Sequence, residues 1–339
     1  MRLPNSEEFN FKDCVVFGDD CWLITPKEIG VKWTEETLKF RSMVIRKSDH
    51  FIVSRSFPKF FNWSEQPDLD KFPMQESFYA YEKLDGSLGI FDSYKGQLVA
   101  RTRGTTDLRQ LQNGYELDFL LEKYKKFFDY VIADPEITYL CEWQTNNNVI
   151  VIGGFPEPKL SLIGGIHKIT GEMFSQYHLD DLAQDLDISR PQKYHYNSIQ
   201  ECIDDVEMWV GKEGVVLYSE TNKMRKIKGS WYCSAHYFLT QISTYNKKID
   251  FYFDNKCNLE NIDFEILSII SKDMMIIDSE YKVLREKLYK IKNNLSSIFT
   301  TRKDYAIHVI DNYKNYSAFL FAKNEMAEVE NIKKIMKSK

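Results

Sequence analysis

The sequence predicts an α+β protein in two parts: a larger N-terminal domain of antiparallel sheets with helices, and a small all-α C-terminal domain. Three observations carry this expectation. Short alternating or continuous apolar runs, parted by turn residues, recur up to about residue 232. One helical period interrupts them at 111–133. From His236 to the end glycine and proline are absent, and apolar residues recur at steps of three and four. The boundary falls near residues 233–245, giving domains of 1–235 and 236–339. At 43% hydrophobic content the 339 residues suffice for two cores.

In chain order, residues 1–78 read as strands and loops, with bursts at VVFGDDCWLI (15–24), KFRSMVIR (39–46) and HFIVSRSF (50–57). SFPKFFN (56–62) stands out because Lys59 lies between a proline and two phenylalanines. FYAYE (78–82) alternates as a strand, and Asp85-Gly86 ends it in a tight turn. SLGIF, a turn at SYKG and QLVARTRGT continue the β pattern to residue 105. The helix at 111–133 carries Leu117, Leu120, Leu121, Tyr124, Phe127 and Phe128 on one face. YLCEWQ (139–144) and VIVIGG (149–154) read as strands, and KLSLIGGIHKITGEMF (159–174) as a hairpin closed at Thr170-Gly171. Two acidic helical or irregular segments lead to GVVLYSE (214–220) and RKIKGSWY (225–232). Beyond the boundary, Tyr281, Leu284, Leu288, Ile291, Leu295 and Ile298 form an amphipathic stripe. Thr301-x-x-Asp304 then signals the start of a helix carrying Ile307, Ile310, Tyr313 and Phe319.

A net charge of −5 does not advertise a nucleic-acid binder, but the charge is segregated. Residues 282–339 hold 13 Lys or Arg against 6 Asp or Glu, whereas 174–207 hold 8 acids against Arg190 and Lys193. The six cysteines include no Cys-x-x-Cys pair, which argues against a zinc site or a disulfide framework. The N-terminus lacks the apolar core of a signal sequence, and no apolar run approaches 18 residues. A reducing, cytoplasmic compartment is expected, with no membrane role.

The stretch EKLDGSLG (82–89) organises the chain. A lysine is protonated up to a pKa of about 10.4, so a nucleophilic lysine needs nearby cations or desolvation. Lys83 follows a predicted strand and precedes the Asp85-Gly86 turn, which fixes its amine at the lip of a sheet.

KLDGSL (83–88), RTRGT (101–105), YLCEW (139–143), KEGVVLY (212–218) and RKIKGSWY (225–232) stand in the order found in covalent nucleotidyltransferases. Over roughly the first 235 residues the chain resembles that superfamily of DNA ligases, RNA ligases and capping enzymes. Within it the chain looks most like the phage-type RNA ligase 1 branch of tRNA-repair ligases. Ser87, the KIKxxWY form of the last motif, SFPKFFN and the hairpin LIGGIHKITGEMF carry that placement.

The resemblance implies an ATP-grasp-like ligase fold and an ATP-dependent RNA ligase with Mg2+. It makes Lys83, Asp85, Glu213, Lys226 and Lys228 the catalytic set and puts Gly86 against the nucleotide; Lys83 would attack the α-phosphate and carry AMP to an RNA 5′-phosphate before a 3′-hydroxyl displaces it. Lys226 and Lys228 lie two apart on a predicted strand and so share a face, where two cations call for an anion between them. The resemblance makes that anion the α-phosphate. It places Glu142 on the ribose and Glu213 with the metal. Gly214 would let backbone approach the nucleotide, and Val216 either packs on the adenine or is strand core. Arg103 is favoured over Arg101 as the second-motif base, with arginine where this branch more often has lysine. Arg41 and Lys59 match residues used on the β- and γ-phosphates, Phe61 an aromatic of the same segment, and Tyr232 a metal helper.

The implied partner is RNA, a broken tRNA selected by the C-terminal domain, and the chain is expected to act as a monomer, virus- or phage-encoded. No GxxxxGK[ST] loop is present, so a separate polynucleotide kinase/phosphatase would prepare the ends. The rivals are a DNA ligase or capping enzyme and an inactive RNA-binding relative. The first two carry a β-barrel after the last motif. The third should have lost Lys83, Glu213 or Lys228, and all are present.

Overall fold

A computed structural model describes residues 2–65, 67–74, 77–255 and 264–338, with the side chains of 255 and 264–269 outside that description. The chain divides into two compact units, Met1–Ser234 and Ala235–Lys339.

Among its described residues the first unit holds thirteen strands: β1 (Phe9–Val16), β2 (Asp19–Pro26), β3 (Met43–Arg46), β4 (Ile52–Arg55), β5 (Phe61–Asn62), β6 (Phe78–Glu82), β7 (Ser87–Tyr94), β8 (Gln97–Arg101), β9 (Ile137–Gln144), β10 (Lys159–His167), β11 (Lys193–Tyr194), β12 (Gly214–Ser219) and β13 (Met224–Lys228). They form three sheets ordered β1-β2-β3-β4, β10-β9-β7-β8 and β11-β6-β12-β13-β5. Between these strands the pairings are antiparallel except the two-residue parallel match of β5 with β13. Helices α1 (Glu116–Lys123), α2 (Lys125–Ala133), α3 (Gln176–Asp185) and α4 (Ile199–Glu207) belong to the same unit.

Period-two alternation sorts the strand residues into layers. On β9, Tyr139, Cys141 and Trp143 face α1 and α2, while Leu140 turns the other way. On β12, Val215 and Leu217 pack with Ile199, Cys202 and Val206 of α4, while Val216 and Tyr218 turn toward Ile90, Leu140 and Ile166 of the neighbouring sheet. The second and third sheets therefore sandwich a shared apolar layer and each keeps helices on its outer face.

Several elements depart from the sequence pattern. The helix at 111–133 breaks at Tyr124 (φ −108, ψ 34), whose hydroxyl accepts the Leu160 N–H at 3.2 Å. VIVIGG is a loop and not a strand, because the Val151 and Ile152 N–H groups donate to the Asp85 carboxylate. The second arm of the 159–174 hairpin is reduced to one bridge, Ile166 with Met173. RKIKGSWY leaves the sheet after Lys228, since Ser230 opens the helix α5 (Ser230–Gln241).

The second unit is helical among its described residues: α6 (Tyr245–Asn255), α7 (Phe264–Ile298), α8 (Arg302–Asn312), α9 (Ser317–Leu320) and α10 (Glu325–Lys337). Tyr281, Leu284, Leu288 and Leu295 of α7 meet Val309, Phe319, Ile332 and Met336 in its core. Thr301 caps α8 by accepting the Asp304 N–H. The expected continuation of that helix to Phe319 fails at Tyr313 (φ −135, ψ 35), and Ile307 and Ile310 are exposed while Val309 is buried. None of the described helices is long and apolar enough to cross a membrane.

Gly214 supports a first prediction. Its φ is +146°, and a Cβ there would meet the Ile227 carbonyl oxygen at 2.0 Å. Gly214→Ala should push β13 away and lower stability by about 2 kcal/mol or more, read as a fall in thermal midpoint.

Candidate active site

A cavity of about 740 Å3 opens between the second and third sheets, within the range of small-molecule sites. Its apolar lining includes Phe60, Tyr81, Leu88, Val216, Tyr218 and Met224, and its polar edge includes Arg41, Lys83, Arg103, Glu142, Lys226 and Lys228. The pleat explains the edge: Lys226 and Lys228 share parity with Met224 on β13, and Glu142 shares parity with Leu140 on β9. Strands that bury alternate side chains thus deliver charged ones into the same inter-sheet space.

Lys83 begins the turn after β6. Its N–H donates to the Gly214 carbonyl at 2.7 Å, so the conformation only glycine adopts easily at 214 sets the height of Lys83. What approaches Gly214 is therefore the backbone of Ile227, and Gly214 is not among the cavity-lining residues. The Lys83 Nζ lies 2.7 Å from Glu213 Oε1, and Lys228 Nζ lies 2.9 Å from the same oxygen. Glu213 is 3% exposed against 23% for the Lys83 side chain. The carboxylate is the buried hub and the lysines reach in from the cavity.

Asp85 does not line the cavity and is 4% exposed. Its carboxylate accepts from Val151 N (2.8 Å), Ile152 N (2.7 Å) and the Tyr232 hydroxyl (2.7 Å). These bonds anchor the turn that carries Lys83, and they engage the carboxylate that was expected to be catalytic. The Tyr232 hydroxyl, expected near a metal, is donated to Asp85, and its ring lies 5.1 Å beneath the Lys228 ammonium. Burial and the neighbouring Glu213 push the Tyr232 phenol far above its ordinary value. Gly86 lines the cavity, and a Cβ there would meet the Trp143 carbonyl oxygen at 2.6 Å.

Arg41, Lys59, Arg103 and Lys226 form a cationic cluster with no carboxylate within 4.0 Å of any of them among the described residues. Burial, reinforced by Lys59, Arg41, Lys83 and Lys228, pulls Lys226 down to about 7. Burial also lowers Arg41 to about 10, with Arg103 adding to the effect, and lowers Lys59. Desolvated like charges of this kind mark a site built for an anion. Lys59 lines an adjoining cavity and not the first. Phe61 lies in neither wall: it is buried on β5 opposite Arg225. Its neighbour Phe60 is the cavity aromatic, with the Arg41 guanidinium 5.1 Å and the Lys226 ammonium 5.2 Å from its ring centre.

Arg101 and Arg103 divide cleanly. Arg103 lines the cavity, whereas Arg101 is fully buried. Arg101 Nε donates to Ser54 Oγ (2.6 Å) and Nη1 to Ser42 Oγ (2.7 Å), while Ser42 Oγ donates to the Arg103 carbonyl (2.8 Å). Arg101 therefore ties β8 to the N-terminal sheet and sets Arg41, next to Ser42, beside Arg103.

Glu142 is raised to about 7 by burial, with Glu213 and Asp85 adding to the rise and Lys83 and Arg41 opposing it. A carboxyl so placed takes either a hydroxyl donor or a cation. Among the described residues no group of three or more His, Cys, Asp or Glu side chains gathers as a metal site, so Glu142 and Glu213 would need phosphate oxygens and water to complete a magnesium shell. Sequence reasoning did not single out Phe60, Tyr81 or the bracing role of Tyr232. Tyr81 was accessible from alternation, being two residues before Lys83, but the choice between Phe60 and Phe61 needed the β5 register.

Among known proteins, a family model described as RNA ligase matches residues 39–260. A putative bifunctional polynucleotide kinase/RNA ligase of Autographa californica nuclear polyhedrosis virus is 27% identical over 217 residues, 58% of this chain. The match spans 30% of that relative's length. An archaeal ATP-dependent RNA ligase structure covers 97% of this chain and 92% of its own at TM-score 0.51 and 14% identity, a likeness of fold. A Naegleria gruberi RNA ligase variant solved with ATP and Mn covers 54% of this chain and 58% of its own, at TM-score 0.45 and 10% identity.

The cluster yields a proton-linkage prediction. Lys226 titrates near 7 when no anion is bound, and a bound triphosphate stabilises its charged form and raises that value. Between the two values binding takes up a proton; below the lower one Lys226 already carries it. Calorimetric titration with a non-hydrolysable ATP analogue, in buffers of different ionisation enthalpy, should show net uptake at pH 8 that vanishes toward pH 6. In Lys226→Met the uptake at pH 8 should be lost.

Proposed function

The chain belongs to the phage-type RNA ligase family, and we propose that it is an ATP-dependent RNA ligase joining RNA 3′-hydroxyl and 5′-phosphate ends. The observation that carries the reading is the Lys83–Glu213–Lys228 bridge at the edge of a cavity in which Arg41, Arg103 and Lys226 have no carboxylate within 4.0 Å among the described residues, Arg190 being paired with Asp180. Lys83 Nζ attacks the α-phosphorus of ATP; the bond to pyrophosphate breaks and a nitrogen–phosphorus bond forms. Glu213 Oε1, 2.7 Å away, is in reach of the proton that Lys83 must lose. Lys226, Lys228 and Arg103 offset charge developing on the phosphate oxygens, and Arg41 and Lys59 take the outer phosphates. The apolar wall containing Val216, Tyr81 and Leu88 holds the base, and Glu142 accepts from the ribose. Glu213 and Glu142 would hold magnesium, which would supply neutralisation of the phosphate charge.

The helical unit is proposed to select the RNA, a broken tRNA, by shape more than by charge. Over residues 235–339 the sequence holds 17 Lys or Arg against 14 Asp or Glu, and Lys333 and Lys337 pair with Asp250. We further propose that the chain works as a monomer in a reducing, cytosol-like compartment. A separate kinase/phosphatase would prepare its ends, an idea supported by the kinase–ligase name of the viral relative. The absence of strands among the described residues after 230 favours this reading over a DNA ligase or capping enzyme.

Incubated with α-labelled ATP and magnesium but no RNA, the wild type should acquire covalent label that survives alkali and is released by acid, as a phosphoramidate is. Lys83→Ala should acquire none while keeping its melting temperature, and GTP should not replace ATP. A covalent adenylate on Lys83→Ala would overturn the assignment.

A chain ending near residue 242 should still label itself with ATP and lose preference for a nicked tRNA over an unstructured strand. Competition between the two RNAs, for full chain and truncation, measures this.

A further inference from the structure

A second cavity, of about 680 Å3, adjoins the first and shares with it Arg41, Phe60, Arg103 and Lys226. Its far wall comes from the N-terminal sheet and the loop after β2, including Asn10 on β1, Thr25 on β2, and Lys27 and Trp33 in that loop. Of its charged lining residues five are basic (Lys27, Arg41, Lys59, Arg103 and Lys226) and one, Glu28, is acidic. None of the five has a carboxylate within 4.0 Å among the described residues. Trp33 is braced edge-on by Phe9 at a centroid distance of 5.7 Å, so its indole is held in the wall.

Two anions must use the shared cations in turn. The triphosphate occupies them first. Once pyrophosphate has gone, Arg41 and Lys226 are again desolvated cations without an anion, and a terminal phosphate monoester must reach the same phosphorus. A groove with cations at its inner end, and an indole with one more lysine further out, fits a phosphorylated nucleotide. The phosphate lies on the cations and the base stacks on the ring.

We propose that this second cavity seats the 5′-phosphorylated terminal nucleotide of the RNA, an inference that rests on the ligase reading above. An oxygen of the terminal phosphate attacks the phosphorus of lysyl-AMP. A phosphoanhydride bond forms, the nitrogen–phosphorus bond to Lys83 breaks, and the departing lysine nitrogen takes up a proton from solvent. The indole and Lys27 contribute to holding the strand and stand apart from the first step, because neither lines the ATP cavity.

The test uses the full chain isolated as lysyl-AMP and mixed with a short 5′-phosphorylated RNA, with AMP transfer followed in a single turnover. Trp33→Ala and Lys27→Ala should transfer AMP about tenfold more slowly at low RNA concentration and regain the wild-type rate at saturation. Trp33→Phe, which keeps a stacking face, should recover most of the loss. Self-adenylylation and its KM for ATP should match the wild type in all three, which also shows that they are folded. Wild-type transfer by Trp33→Ala and Lys27→Ala at every RNA concentration would overturn the proposal. So would a raised KM for ATP, which would assign the cavity to the triphosphate. Failure of the wild-type chain to label with ATP would instead sink the ligase reading itself.

Discussion

One buried carboxylate sets the arrangement of the first unit. Glu213 is almost sealed from solvent, and a charge there is tolerable only if it is paired. Both partners arrive on one oxygen: Lys83 from the turn after β6 and Lys228 from the last residue of β13. For the two strands to end at the same height, β12 must pair with β6 on one side and β13 on the other, starting at Gly214. The positive φ of Gly214 and the hydrogen bond from Lys83 N to its carbonyl follow from that requirement. The bridge and the register of the central sheet are one constraint seen at two scales.

Around this hub the protein accumulates positive charge and supports it with neutral or fully engaged groups. Asp85, the other buried acid of the turn, is spent on two backbone N–H groups and a tyrosine, so it braces the loop without neutralising the cations. Arg101 is held by serine hydroxyls, with Asp92 and Lys168 paired within 3.4 Å in the same buried layer. These contacts lock the N-terminal sheet onto the second sheet, and that joint puts Arg41 beside Arg103. The unfavourable field is thereby concentrated at the open wall, where Lys226 is held near neutrality until an anion arrives. The structure stores repulsion where a ligand can relieve it.

Much of this was open to a reader of the sequence. Alternation in FYAYE and GVVLYS, and the turn residues between them, fixed the central strands, because a half-buried strand leaves its period in the sequence. The same period put Lys226 and Lys228 on one face, and the loss of glycine and proline after His236 marked the helices. VIVIGG carries the apolar composition of a strand and yet is a loop, since its N–H groups satisfy a carboxylate 66 and 67 residues earlier in the chain. No local pattern encodes a partner at that distance.

The tertiary structure alone decided which member of each close pair faces the ligand space. Phe60 and not Phe61 lines the cavity because a two-residue parallel pairing to β13 buries Phe61 opposite Arg225. Arg103 and not Arg101 lines it because β8 ends at Arg101, whose side chain turns into the joint between sheets. Asp85 and Tyr232, 147 residues apart, were read as separate chemical groups and form a single hydrogen-bonded brace. Residue type and spacing determine which chemistry the chain can offer, since those follow from side-chain composition and the period of each element. Which side chain is presented and which is consumed as support depends on pairing register and on hydrogen bonds between distant segments, and these exist only once the sheets have closed on one another.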